Sequence, residues 1–319
     1  MVEVTVIIPN LNGMPYLEGC LSSLERQTVK NFDVLLLDNG SEDGSPEYVR
    51  DHFPQVRLHR YTDNTGFCHA VNAGIRMSDA PYVILLNNDV VCEEHFVEEL
   101  LKGIKEHQNC FSGQAKMLQM KNPELLDDGG DYYCALGWAF ASGKGKKDRK
   151  RRKEKKIFSA CAGAAIYRRK VLEQIGLFDE KHFAYLEDVD LGYRARIAGY
   201  ENWYLPRAVV YHAGSATSGS AYNEFKVRHT SRNSVYLVIK NMPWPQILLN
   251  LPFLLAGYLI KMLFFARKGF FRQYVQGVRK GMFLAQKEDK VVFEKKNFKN
   301  YVKIQIELWV NLIRRIGDF

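Results

Sequence analysis

Short apolar runs, polar turns and stretches of helical spacing alternate through the first two thirds of the chain. Residues 2–9 and 32–37 are rich in Val, Ile and Leu with little alternation, as strands covered on both faces are. Between them Leu17, Leu21 and Leu24 share one face of a helix predicted over 15–27. The unit is β-α-β, which favours parallel pairing and a right-handed crossover. Helices are expected at 46–52 and 69–77, and strands at 56–61 and 82–86. Further on, 93–106 should be helical, 110–118 extended and 158–167 part of the core. Two short helices follow, 169–175 closed by Gly176 and 189–198 closed by Gly199. Residues 202–205 and 208–212 are expected to form two short final strands.

From Pro243 the composition shifts. Residues 247–266 are strongly apolar, interrupted only by Asn250, Pro252 and Lys261, and flanked by Trp244, Arg267 and Lys268. A spanning helix needs about 20 apolar residues. The interruptions favour a helix lying in or dipping into a membrane interface, the alternative being a core hairpin beneath the main domain. Residues 270–283 and 301–316 continue as basic amphipathic helices.

The 319 residues carry a net charge of +9 and 46% apolar content, enough for one large α/β domain and an appendage. Between Lys144 and Lys156 ten Lys or Arg face only Asp148 and Glu154, leaving about +1 for everything else, so the remainder is expected to be close to neutral. With almost no apolar residue, 143–156 is predicted to be a mobile basic loop. It lacks the interleaved aromatics of a nucleic-acid surface, so no nucleic acid is expected as a partner; a solvated loop or one facing an anionic membrane both fit. Six scattered cysteines without a CxxC pair argue against a disulfide framework or zinc site and for a reducing, cytoplasmic setting. No secretory signal is expected ahead of the first strand.

Chemistry is concentrated at strand ends, where α/β sheets open their ligand crevices. Asp38 follows 32–37 and can accept from a pyrimidine N3–H, or can simply cap its own Asp-Asn-Gly-Ser turn. Asn12 lies at the neighbouring crevice. Asn87, Asn88 and Asp89 end the run 82–86; Asp89 could hold Mg²⁺ or Mn²⁺, or cap the next helix. His212 is a further candidate ligand, although a lone histidine is often structural. Glu187 and Asp188 precede a helix whose first turn includes Asp190. Asp190 there is expected to complement the helix dipole, whereas Asp188 is suited to deprotonate an acceptor hydroxyl.

The ordered segments VIIPNLNG (6–13), LLLDNGSEDGS (35–45), NTGFCHAVNAGI (64–75), ILLNNDV (84–90), GAAIYRRKVLEQIGLFDE (163–180) and YLEDVDLGYRARIAGY (185–200) resemble the family-two glycosyltransferases, and among them a rhamnosyltransferase-like branch. The resemblance covers about residues 3–240. It implies a GT-A fold, α/β with a Rossmann-like, mainly parallel sheet flanked by helices, over 1–240, and leaves 241–319 as a helical membrane-associating tail. It implies that Asp38 binds the base, that Pro9, Asn12, Asn72 and Gly74 line the donor site, and that Gly163 and Ala164 face the donor sugar. Asn87, Asn88 and Asp89 stand at the family's DXD metal motif, with Asn87 replacing its first aspartate. Asp188, beside Glu187, falls on the catalytic base, His212 on a position that completes metal binding, and Arg232 with Asn233 on a phosphate-contacting pair. The implied activity is inverting transfer from a dTDP-rhamnose or UDP-sugar donor to a lipid-linked or surface glycan. It would take place on the inner face of the cell membrane. The alternative is a non-catalytic nucleotide-sugar or glycan-binding protein. Sugar, linkage and oligomeric state are not legible.

Overall fold

The computed structural model describes residues 2–147, 153–214 and 222–316. Its first half is β1 (Val4–Asn10), α1 (Met14–Glu25), β2 (Phe32–Asn39), α2 (Ser45–His52), β3 (Arg57–Tyr61), α3 (Phe67–Arg76) and β4 (Tyr82–Leu86). These strands pair in parallel in the order β4-β1-β2-β3, as repeated β-α-β units require. The chain goes on through β5 (Val90–Cys92), α4 (Phe96–Glu106), β6 (Cys110–Gln119), β7 (Asn122–Asp128), β8 (Asp131–Cys134), β9 (Trp138–Ala141), β10 (Lys155–Ile157) and β11 (Ala164–Arg168). Last come α5 (Arg169–Ile175), α6 (Glu187–Ile197), β12 (Glu201–His212), α7 (Glu224–Asn241), α8 (Trp244–Arg267), α9 (Phe271–Leu284) and α10 (Phe298–Ile316). β11 runs antiparallel between β4 and β6, and β12 lies parallel to β6, completing a mixed sheet with helices on both faces.

Both faces are sealed by alternate residues of the same strands. Ile8, Leu36 and Ile84 pack with Leu17 and Leu100 on one side; Ile7, Leu35 and Leu85 pack with Val71 and Leu191 on the other. This double burial is why the strand sequences show continuous apolar runs.

Two expectations change. The two final strands are one, Glu201–His212, with a register shift between Leu205 and Val209 where Pro206 and Arg207 sit; a bulge absorbs them without ending the strand. The basic stretch 143–156 is fixed at both ends. Gly145 N–H donates to the Leu126 carbonyl, and Lys155 and Lys156 lie in β10 against Tyr204 and Trp203; residues 148–152 lie outside the described residues. The stretch after 118, to which the sequence pattern assigns no element, folds into the strands β7 to β9.

α7 leads out of the sheet into three helices that stay docked on it. The Gly257 backbone of α8 lies against Leu136, with no room between them for a Cβ, and its carbonyl accepts from Trp138 Nε1 at 3.2 Å. Asn250 of α8 and Gln305 of α10 exchange amide hydrogen bonds at 2.7 and 2.9 Å.

The segment entering α6 is held in an unusual shape. Phe183, Tyr185 and Leu186 all have positive φ, between 61° and 72°, which costs non-glycine residues on the order of 1 kcal/mol or more each. α7 offsets this: Asn233 Nδ2 donates to the carbonyls of His182, Ala184 and Tyr185 at 2.7–3.0 Å, and Arg232 Nη2 to those of Lys181 and His182. The side chains implied to contact phosphate therefore buttress a backbone turn. Asn233→Ala should cost about 1–3 kcal/mol by stranding buried carbonyls, read from chemical denaturation. Stability equal to the parent would show that the turn supports itself.

Candidate active site

A cavity of about 800 Å³ opens beyond the C-terminal ends of β1, β2 and β4. Of the residues expected to bind the donor, Pro9, Asn87, Asn88 and Gly163 line it, joined by Asp89, His212, Glu187 and Asp188. Gly163 is needed for close approach: a Cβ there would sit 3.1 Å from Asn87 Nδ2, and its carbonyl accepts from Asn87 N–H at 2.9 Å.

The others are absent from the wall. Asp38 is fully buried; its carboxylate accepts from Asn10 Nδ2 at 2.9 Å and from Ser41 N–H at 3.2 Å. Asn10 Oδ1 in turn accepts from Asn88 Nδ2 at 2.7 Å. Asp38 thus orients the strand-end asparagines and does not present itself to a base. Its neighbour Asn39 lines the cavity instead. The alternation of β2 explains the exchange, because Asn39 shares a face with Leu35 and Leu37 while Asp38 follows Leu36. Asn12 adopts φ 51° and caps Glu42 N–H. Asn72 Nδ2 donates to the Phe178 carbonyl and to Glu180. Gly74 lets α3 close on Ile7 and Leu37, Ala164 lies buried in β11 opposite Leu86, and Arg232 buttresses the turn before α6.

On one wall His212 bridges two carboxylates, with Nε2 3.3 Å from Asp89 Oδ1 and Nδ1 2.7 Å from Asp127 Oδ2. Burial alone would keep the ring neutral, but the hydrogen bonds to Asp127 and Asp89 and their charges raise it to about 9. Lys144 Nζ adds a 2.9 Å ion pair to Asp127, tying the first basic residue after Gly143 into the site. Asp127 and Lys144 were not legible as site residues, since both fall in hairpin segments without apolar periodicity.

The opposite acids stand at the start of α6. Asp188 Oδ1 accepts from Val189 N–H at 2.7 Å. Burial, and next the charge of Asp128, raise its carboxyl to about 6 despite that bond. Burial and the Asp188 charge push Glu187 further, to about 8. Asp128, Asp131 and Cys161 lie together behind them, within 4.8 Å of one another. Asp190, expected to serve the helix dipole, is instead sequestered in ion pairs with Arg194 and Lys240 at 2.9 Å. One cavity therefore joins Asp89 and His212, an oxygen and a nitrogen that could hold a cation, to the Asp188 carboxyl, raised to about 6, that could accept a proton.

The comparisons agree with this geometry. Residues 5–176 match the family model for glycosyl transferase family 2. The N-acetylglucosaminyl-diphospho-decaprenol L-rhamnosyltransferase of Mycobacterium tuberculosis is 28% identical over 255 residues, covering 72% of this chain and 82% of that protein. In fold, the chain is similar to GalNAc-T7 solved with UDP, GalNAc and Mn²⁺ (TM-score 0.60, 15% identity, 75% of this chain and 48% of that one). It is also similar to the mannosyltransferase PcManGT of Pyrobaculum calidifontis solved with GDP-Man and Mn²⁺ (TM-score 0.54, 16% identity, 88% and 84%). With its motifs in order along a sheet of this fold, the chain belongs to glycosyl transferase family 2.

Proposed function

We propose that the enzyme inverts the anomeric centre while moving a sugar, rhamnose foremost, from a dTDP- or UDP-linked donor to a hydroxyl of a lipid-linked or surface glycan. The supporting observation is that Asp89 and Asp188, about a hundred residues apart in sequence, line one cavity. Asp188 takes the acceptor hydroxyl proton as that oxygen bonds to the anomeric carbon. The carbon's bond to the diphosphate oxygen breaks, and its electron pair leaves on the nucleoside diphosphate. A single displacement needs no enzyme nucleophile and inverts the centre.

Asp89 and His212 would hold a divalent ion. Their oxygen and nitrogen atoms already converge, and Asp127 fixes the His212 ring with Nε2 toward Asp89, the outer-shell arrangement typical of metal-binding histidines. The Asp89 carboxylate and the phosphate oxygens of the donor suit Mg²⁺ or Mn²⁺. When bound, the ion would neutralise the donor diphosphate. Pro9, Asn39, Asn87, Asn88 and Gly163 shape the donor side.

The helical tail fits a membrane surface. α8 is long and apolar enough to cross a bilayer, with mean hydropathy 1.9 and 17% of that window buried. Its docking through Gly257 and Asn250 leaves Leu248, Leu255, Leu259 and Leu263 exposed on the free side, and α10 exposes Val302, Ile306, Val310 and Ile313 along one stripe. A helix held along one flank and apolar along the other lies in the interface plane. The charge matches, because the near-neutral remainder expected outside 144–156 is an average of opposites. Residues 241–319 have fourteen Lys and Arg against five acids, while the rest outside 144–156 has 21 against 29. A tail of net +9 therefore hangs from a body of net −8. The setting is the cytoplasmic face of the cell membrane.

Asp188→Asn should lower transfer about 10²- to 10⁴-fold while calorimetric donor binding persists; a parental rate would remove Asp188 from the chemistry. In the parent, activity should rise with pH through about 6 as Asp188 ionises, and a flat profile from pH 5 to 7 contradicts the assignment. Excess chelator should abolish transfer and Mn²⁺ or Mg²⁺ restore it; persistence in chelator excludes the ion. Finally, the protein should float with phosphatidylglycerol vesicles, and a Leu255→Glu, Leu259→Glu, Ile306→Glu variant should not. Equal flotation of that variant would reject the membrane face.

A further inference from the structure

One carboxyl oxygen of Glu187 is spent on nothing within the protein, while the group also takes a hydrogen bond from its own backbone N–H. The residue is 8% exposed, lines the cavity, and its Oε2 is shut off from solvent with no hydrogen-bond partner. Buried polar atoms in native structures are paired with protein, water or ligand, and one left over in an active-site wall points to a missing partner. The charges that bear on it are Asp188 and Asp190 on its own helix and Asp131 on β8. The remaining titratable neighbours, Cys68, Tyr167 and Tyr185, could only add negative charge by ionising. Among the described residues no cation stands among the charges that act most on it, as Arg194 and Lys240 do for Asp190; the cavity's basic side chains are Lys144, paired with Asp127, and Lys226. An ionised carboxylate would thus have one oxygen dry and unpaired, beside a second carboxylate.

We propose that Glu187 is a second acceptor contact, a carboxylic acid that keeps its proton and donates a hydrogen bond to an acceptor oxygen next to the hydroxyl that Asp188 deprotonates. The inference rests on the transfer reading above and deepens it, giving adjacent residues opposite tasks. No proton leaves Glu187 during turnover. Burial and the neighbouring charge raise it to about 8, above Asp188, and such a separation between paired acids is how one site sets a donor beside a base. The ligand class is a neutral, oxygen-rich acceptor, a sugar hydroxyl or ring oxygen. Above pH 8, ionisation of Glu187 replaces the donor with a repelling charge, so activity has a falling limb as well as a rising one.

The test compares parent, Glu187→Gln and Glu187→Ala with dTDP-rhamnose as donor and a short-chain prenyl diphosphate N-acetylglucosamine as acceptor, with thermal melts verifying each fold. Glu187→Ala should raise acceptor KM by about tenfold, the scale of one buried hydrogen bond, at unchanged donor KM. Glu187→Gln, which restores a neutral donor, should recover most of that loss and abolish the decline above pH 8. A Gln variant as impaired as Ala, or a change in donor KM instead, overturns the proposal. Should the parent transfer nothing between these substrates, the substrate reading fails separately and infrared difference spectroscopy decides on Glu187. A protonated-carboxyl band at pH 7 that survives in Asp188→Asn and vanishes in Glu187→Gln upholds the proposal, and its absence from the parent overturns it.

Discussion

The site depends on a buried ionic clamp between α6 and α7. Lys240 Nζ lies 2.6 Å from Asp179 and 2.9 Å from Asp190, and Asp190 also accepts from Arg194 Nε and Asn241 Nδ2. Burial alone would raise Asp190, but the charges of Arg194 and Lys240 hold it far below the usual carboxylate range. Removing one partner from such a group is commonly worth 3–5 kcal/mol, because the survivor is left charged and dry. His182 packs edge-on to Tyr236 beside the clamp, and burial lowers its ring to about 4, so it stays neutral there. The clamp fixes α6 against α7; α7 then props the left-handed turn whose last residue, Leu186, caps α6. Asp188 is aimed by that chain of contacts.

The acids of α6 show how one helix turn produces three protonation behaviours. Asp190 faces two cations and stays ionised, Asp188 faces several backbone donors and acids and ionises near neutrality, and Glu187, with a single backbone donor against burial and two acids, resists ionisation. Composition does not distinguish them, since all three lie within four residues. Direction along the helix does: Asp190 points back toward α7, and the other two face the cavity.

What the sequence revealed follows the same division. The parallel strands and the identity of Asp89, Asp188 and His212 as cavity residues were legible, because buried strands announce themselves by apolar runs and their ends are marked by polar residues. Asp38 was misread because its position in a turn motif says nothing about side-chain direction; the parity of β2, with Leu35 and Leu37 on the face of Asn39, carried the missing information. Arg232 and Asn233 looked like phosphate ligands, yet their partners are carbonyls whose exposure depends on three positive-φ residues that no periodicity signals. Asp127 was invisible for a related reason, being placed by the register of β7 on β6.

The tail and the cavity are geometrically linked. α7 begins at the cavity rim, where Asn223, Phe225 and Lys226 lie, and its 18 residues carry the chain roughly 27 Å away. α8 then returns: Phe264 and Phe265, at its far end, pack on Tyr222 with ring centroids 5.5 and 5.8 Å apart. The exposed apolar flank of α8 therefore terminates beside the cavity rim. On the proposed reading, with α8 in the interface and the acceptor anchored in a bilayer, the helix would end at the mouth of the site and the reach required would be that of a sugar and its diphosphate, with no extraction of the lipid. If α8 crossed the bilayer it would have to leave Leu136, Trp138 and Tyr222, and would lose that alignment.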